Sequence, residues 1–149
     1  MTDTPSLSRR ALLGLMAATG AAAVLAPSLG RAQAGPPLTR PIPSSGEVLP
    51  AVGLGSWITF NVGDDPVLRY ECADVMAAFF EAGGRMIDSS PMYGSSQAVI
   101  GHGLGRLGHP QALFSTDKVW ISSPDAGPGQ IEESRRLWGV PRFDLLQVH

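Results

Sequence analysis

Four side chains in this sequence could act together chemically: Asp88, Tyr93, Lys118 and His149. A phenol can hand a proton to a developing oxyanion. With a pKa of ~10 it does so poorly at neutral pH unless its surroundings favour the phenolate. A nearby ammonium does that. A carboxylate would hold the ammonium and balance its charge, and an imidazole can bind a substrate oxygen and orient it. Lys118 stands out even alone, as the only lysine among eleven Lys and Arg residues. Lysine is a compact point charge that responds to burial in a way arginine cannot imitate. Singly, each residue has an ordinary explanation. Asp88 could form a turn, Tyr93 anchor a loop, Lys118 decorate the surface, and His149 mean nothing. Their joint placement is what argues for a site.

The elements that must position them alternate along the chain. Arg40 to Ile42 is held extended by Pro41 and Pro43, Ser44-Ser45-Gly46 turns, and Glu47 to Val52 returns, which predicts an N-terminal hairpin. Gly53 to Trp57 reads as a strand and its exit. Asp65 before Pro66 starts a helix as cap and first helical residue. Leu68, Cys72, Val75, Met76, Phe79 and Phe80 recur at helical spacing, and Gly83 ends the run. Cys72, the only cysteine, falls on that pattern as a small buried hydrophobe and allows no intramolecular disulfide. Arg85 to Ile87 predicts the next strand, Ser95 to Leu107 a helix weakened by Gly101, Gly103 and Gly105, and Leu113 to Trp120 a strand. Ser122 to Gly129 reads as a loop, Gln130 to Trp138 as a helix, and Phe143 to His149 as a final strand. Strand and helix alternate with short connections, which requires parallel pairing with helices outside. Asp88, Lys118 and His149 each fall near the end of successive strands, and Tyr93 lies on the loop after Asp88. In a parallel barrel such ends converge on one face.

The stretch from Gly83 to Gly101 resembles the aldo-keto reductase signature. It has Gly and Arg flanking a position that is usually aromatic, then Asp-Ser-Ser, and beyond a loop Gln97 and Gly101. Gly84 departs from the pattern, standing where the family carries the aromatic residue. The resemblance implies an α/β fold of the TIM (β/α)8-barrel type, with the N-terminal hairpin and about the first four β/α units present. It implies that Asp88, Tyr93, Lys118 and His149 are the catalytic tetrad, with Tyr93 as proton donor. It further implies NADP(H) or NAD(H) as cofactor, with Gly55, Ser56 and Trp57 near the nicotinamide, and reduction of an aldehyde or ketone to an alcohol. Asp117 stands where the family has a small or hydroxyl residue, and a local ion pair with Lys118 is expected. Arg135 stands where an apolar residue is usual, so the packing of its helix should be less regular.

The first 34 residues read as an address. Ser8-Arg9-Arg10-Ala11-Leu12-Leu13 looks like a twin-arginine export signal. The apolar run 11–26 is broken by Gly14, Thr19 and Gly20 and is short against the ~20 residues of a membrane span. Ala32-Gln33-Ala34 fits a small-residue cleavage site. The expectation is a signal peptide over 1–34, a barrel segment over 35–149, and a periplasmic or exported protein that engages the twin-arginine translocation machinery. That machinery carries folded proteins, so a nicotinamide cofactor would travel already bound.

Other readings are weaker. A net charge of −2 gives no reason to expect nucleic acid, and no Cys/His cluster suggests a metal. Gly103 to Gly108 matches G-x-G-x-x-G, but it closes a helix, whereas a dinucleotide fingerprint opens one after a strand. A barrel of this type takes ~250 residues. Of the 149 residues here, 115 would remain once 34 are removed. A partial reading frame is therefore expected, inactive alone, with pairing of two copies as the alternative. The competing function is a non-catalytic nucleotide-binding or regulatory protein on the same fold.

Overall fold

Asp65 starts the first helix as its sequence position predicts: Oδ1 accepts from the Val67 and Leu68 N–H groups at 2.9 and 3.0 Å, with Pro66 at the first helical position. In the computed structural model, which describes residues 35–149, this helix is α1 (Pro66–Glu81). The twin-arginine motif, the apolar run and the cleavage position after Ala34 lie outside the described residues. The chain otherwise runs β1 (Thr39–Pro41), β2 (Val48–Pro50), β3 (Leu54–Gly55), α1, β4 (Met86–Asp88), α2 (Ser96–Arg106), β5 (Phe114–Val119), α3 (Gly127–Trp138) and β6 (Leu145–Val148). Strands β1 and β2 form the expected hairpin, and β3-β4-β5-β6 form one parallel sheet in chain order. These are four consecutive strands of a (β/α)8-type barrel, joined by helical crossovers.

Helix α3 begins at Gly127, three residues before its predicted start, after a 3-10 turn at Pro124–Ala126. Pro124 and Pro128 each occupy a first-turn position, where a missing N–H costs nothing, so the expected loop is helical from Pro124 onward. Arg135 on this helix is half-buried. Its Nη1 donates to Glu132 at 2.7 Å, while Nε is buried without a partner.

The core lies between the sheet's outer face and the helices. Ile87 of β4, Met76, Val99, Ile100, Leu104 and Trp138 are fully buried there. Cys72 joins them, and burial, helped by Glu71, pushes its thiol above the ordinary value. Two glycines allow the close packing. A Cβ on Gly101 would stand 1.9 Å from the Leu137 carbonyl oxygen of α3, so α2 and α3 meet where only glycine fits. A Cβ on Gly84 would fall 2.3 Å from the Phe79 ring. The ring of Phe79, from α1, thus occupies the space beside the position where the signature expects an aromatic.

Arg85 explains its own place in the signature. Its guanidinium donates to the Val48 carbonyl at 3.0 Å, the Ala112 carbonyl at 3.0 Å and Glu47 Oε1 at 2.9 Å. It ties the hairpin across the starts of the strands. On the inner face just above, Met86, Phe114 and Leu145 make an apolar layer facing Ile42 and Leu49 of the hairpin. The next inward positions along the strands are polar.

Candidate active site

Alternation along the strands decides which side chains meet. Asp88 pairs in register with Thr116, and Lys118 with Gln147, so these four share the sheet's inner face. The Lys118 ammonium donates to Asp88 Oδ2 at 2.5 Å and to the Ser89 carbonyl at 2.8 Å. Its side chain is 13% exposed and that of Asp88 31%, so the pair is sheltered yet reachable. Tyr93, on the loop after β4, turns back over it, with Lys118 Nζ 5.2 Å from its ring centre. His149 meets the Tyr93 ring edge-on at 5.7 Å. All four predicted residues therefore converge at the C-terminal ends of the strands. The loop between them is tight. Asn61 Oδ1 accepts from Ser95 N–H at 2.9 Å, and Tyr93 N–H donates to the Ser90 carbonyl at 3.0 Å.

Three further residues enter the cluster that sequence reasoning passed over. Thr116 Oγ1 donates to Asp88 Oδ1 at 2.6 Å. Gln147 Nε2 reaches the same oxygen at 3.2 Å and Thr116 Oγ1 at 3.1 Å. Ser90 Oγ lies 2.8 Å from His149 Nδ1, which leaves Nε2 free for a substrate oxygen. The signal for the first two was present: Thr116 and Gln147 each stand two positions before a tetrad residue, and a strand repeats its facing every two residues.

Of the three residues expected beside a nicotinamide, Ser56 is fully buried, and its hydroxyl donates to the Asp88 carbonyl at 2.8 Å, tying β3 to β4. Gly55 is exposed, and no atom lies within 4 Å of where its Cβ would be. Trp57 is 64% exposed, with its ring 6.3 Å from that of Tyr93. An open strand end and a bare indole beside the phenol suit a flat ring laid against them. Ile58 next to it has φ of 62°, and the Thr59 N–H donates to the Trp57 carbonyl at 2.6 Å, a γ-turn of the rarer, strained hand. Among the described residues no group of three or more His, Cys, Asp or Glu side chains could hold a metal, and no helix is long and apolar enough to cross a membrane.

Asp117 does not pair with the Lys118 ammonium. Adjacent residues of a strand face opposite ways, so Asp117 points outward beneath the helices. Oδ1 accepts the Lys118 backbone N–H at 2.7 Å, and Oδ2 accepts from Gln97 Nε2 at 2.7 Å. Gln97 Nε2 also donates to Ser134 Oγ of α3 at 2.9 Å. Burial pushes the Asp117 carboxyl above its ordinary value, while the Lys118 N–H and Gln97 amide oppose the rise.

Comparison with known proteins agrees with this geometry. Residues 51–149 match the model of the aldo/keto reductase family. Among curated relatives, methylglyoxal reductase YeaE of Escherichia coli (strain K12) is 32% identical over 108 residues, covering 70% of this chain and 37% of that protein. An NAD(P)H-dependent D-xylose reductase of Pyricularia oryzae is 29% identical over 113 residues, covering 71% and 32%. The chain thus spans about a third of the length of these curated relatives. Among solved structures, an aldo-keto reductase of Klebsiella pneumoniae superposes with a TM-score of 0.61 at 23% identity, covering 70% of this chain and 36% of that one. One from Bombyx mori gives 0.59 at 24%, covering 78% and 39%. These two bear on the fold alone. With the family match extending from before β3 to His149, through all four convergent residues, this chain belongs to the aldo/keto reductase family.

Proposed function

We propose that the protein of which these residues form the catalytic face reduces an aldehyde or ketone to an alcohol, with NADP(H) or NAD(H) as hydride source and Tyr93 as proton donor. The observation that carries this reading is Lys118, held at 2.5 Å by Asp88 Oδ2 and aimed at the Tyr93 ring from 5.2 Å. The ammonium stabilises the charge left when the phenol proton passes to the substrate oxygen. Asp88 keeps that ammonium in place. His149, with Nδ1 engaged by Ser90, offers Nε2 to the same substrate oxygen and sets the carbonyl's orientation. Gly55 and Trp57 would hold the nicotinamide, which supplies the hydride when bound. The curated relatives support this choice: one is named for methylglyoxal, another for D-xylose and NAD(P)H.

The test is Tyr93→Phe in the purified full-length protein, followed by NADPH oxidation with a panel of aldehydes and ketones. We expect kcat to fall by about 10²–10⁴-fold, the usual range for loss of a general acid. Wild-type turnover in the variant would sink the proposed proton donor. A regulatory role without catalysis would leave both proteins equally silent.

Residues 1–34 support an exported protein, because Arg9-Arg10 precede an apolar run and a small-residue cleavage site. Cell fractionation tests this. The mature chain should begin at Gly35 in the periplasm, and Arg9→Lys with Arg10→Lys should keep it inside. Native mass spectrometry of the exported protein should find bound nucleotide.

A further inference from the structure

We propose that Thr116 and Gln147 are positioning residues: together they fix the rotation of the Asp88 carboxylate, and so hold the ammonium against Tyr93. The donor and acceptor roles leave one consistent arrangement. Thr116 has a single O–H, and it goes to Asp88 Oδ1 at 2.6 Å. Gln147 Nε2 is shared between two adjacent acceptors, Asp88 Oδ1 at 3.2 Å and Thr116 Oγ1 at 3.1 Å, as a three-centre bond. The three side chains close a ring across β4, β5 and β6. Within it, Oδ1 takes both neutral donors and Oδ2 is left to Lys118. A carboxylate with one oxygen bound this way cannot rotate without breaking both neutral bonds. Lys118 in turn is committed to Oδ2 and to the Ser89 carbonyl, leaving its third proton uncommitted on the side of Tyr93.

The setting gives the ring its significance. Interior positions of such barrels are mostly filled by branched aliphatic residues. Here apolar Met86, Phe114 and Leu145 are each followed, two positions along their own strand, by Asp88, Thr116 and Gln147. Thr116 is 1% exposed, so its hydroxyl has no solvent to turn to. The clamp is a property of the geometry. Its catalytic consequence rests on the function proposed above.

Lys118 is the only lysine within residues 1–149, so its acetylation can be followed on one assignable peptide. The full-length protein and its Thr116→Val, Thr116→Ser and Gln147→Leu variants would be trace-labelled with an acetyl ester at fixed pH. Modification of the Lys118 peptide would be followed by mass spectrometry, with circular dichroism confirming the fold. Thr116→Val and Gln147→Leu should each acetylate Lys118 about tenfold faster, the factor expected from freeing one charge-assisted hydrogen bond. Thr116→Ser, which keeps the hydroxyl, should stay at the wild-type rate. With a carbonyl substrate, the first two variants should lose kcat and keep KM, and the serine variant should restore kcat. Unchanged labelling of Lys118 in folded Thr116→Val or Gln147→Leu would overturn the proposal, as would equal acceleration in Thr116→Ser. If one of the two apolar variants does not fold, the other decides by the same criterion. A wild-type protein that reduces no carbonyl would defeat the proposed activity, while the labelling series would still decide the clamp.

Discussion

Asp88 and Asp117 lie on neighbouring strands of one sheet, and each is bound by a side-chain nitrogen 2.5–2.7 Å away. Asp88 faces inward, meets an ammonium and keeps a side-chain exposure of 31%. Asp117 faces outward beneath α2 and α3, meets one neutral side-chain amide and a backbone N–H, and is fully buried. The first arrangement keeps charge available where a ligand can reach it. The second locks β5 to two helices and sacrifices accessibility. A carboxylate's partners and its access to solvent therefore distinguish chemistry from construction better than its residue type does.

Substitutions can break or sharpen this contrast. The largest effect is expected from Lys118→Met, which leaves Asp88 without its counter-charge. Steady-state assays should show kcat lower by about 10³-fold. A variant retaining wild-type turnover would erase the distinction between the two faces. Gln97→Leu attacks the outer cluster. It leaves the Asp117 carboxylate short of a donor in a water-free place and should cost about 3 kcal/mol in denaturant unfolding, with kcat per folded molecule unchanged. Loss of kcat without loss of stability would show the outer cluster to be part of the chemistry.

The smallest effect, and the most diagnostic, belongs to Asp117→Asn. Burial raises the Asp117 carboxyl, so the folded state holds this proton more tightly than the unfolded chain. Stability from the protonated form is complete below the unfolded value of 3.8 and lost as pH rises through the raised one. The neutral amide avoids that loss, and Gln97 can turn its carbonyl to meet it. The melting temperature should rise by a few degrees at pH 7, and the gain should shrink as pH falls toward 3.8. A gain that grows in acid would contradict the assigned cause.

Much of this was legible in residue order. Strand and helix alternation announced a parallel sheet, Asp65-Pro66 the start of α1 and Gly83 its end. Gly83 has φ of 85° and donates to the Phe80 carbonyl at 2.9 Å, as a residue just past a helix end should. These are local signals, written in short-range sterics and capping. The start of helix α3 is hidden in the sequence because prolines resemble loop formers, whereas first-turn positions accept them.

What the sequence determined by itself was the cast: one lysine, a carboxylate and a histidine near strand ends, and a tyrosine on the loop between. Tertiary structure decided the partnerships. Asp117 is one residue from Lys118 in the chain yet serves the opposite face, because strand side chains alternate. Asp88 lies thirty residues from Lys118 and 59 from Gln147, and parallel register brings all three together. Phe79 fills the space beside Gly84 from another element altogether. A helix cap depends on neighbours in the chain, but a hydrogen-bonded ring across three strands depends on register, which exists only once the sheet has formed.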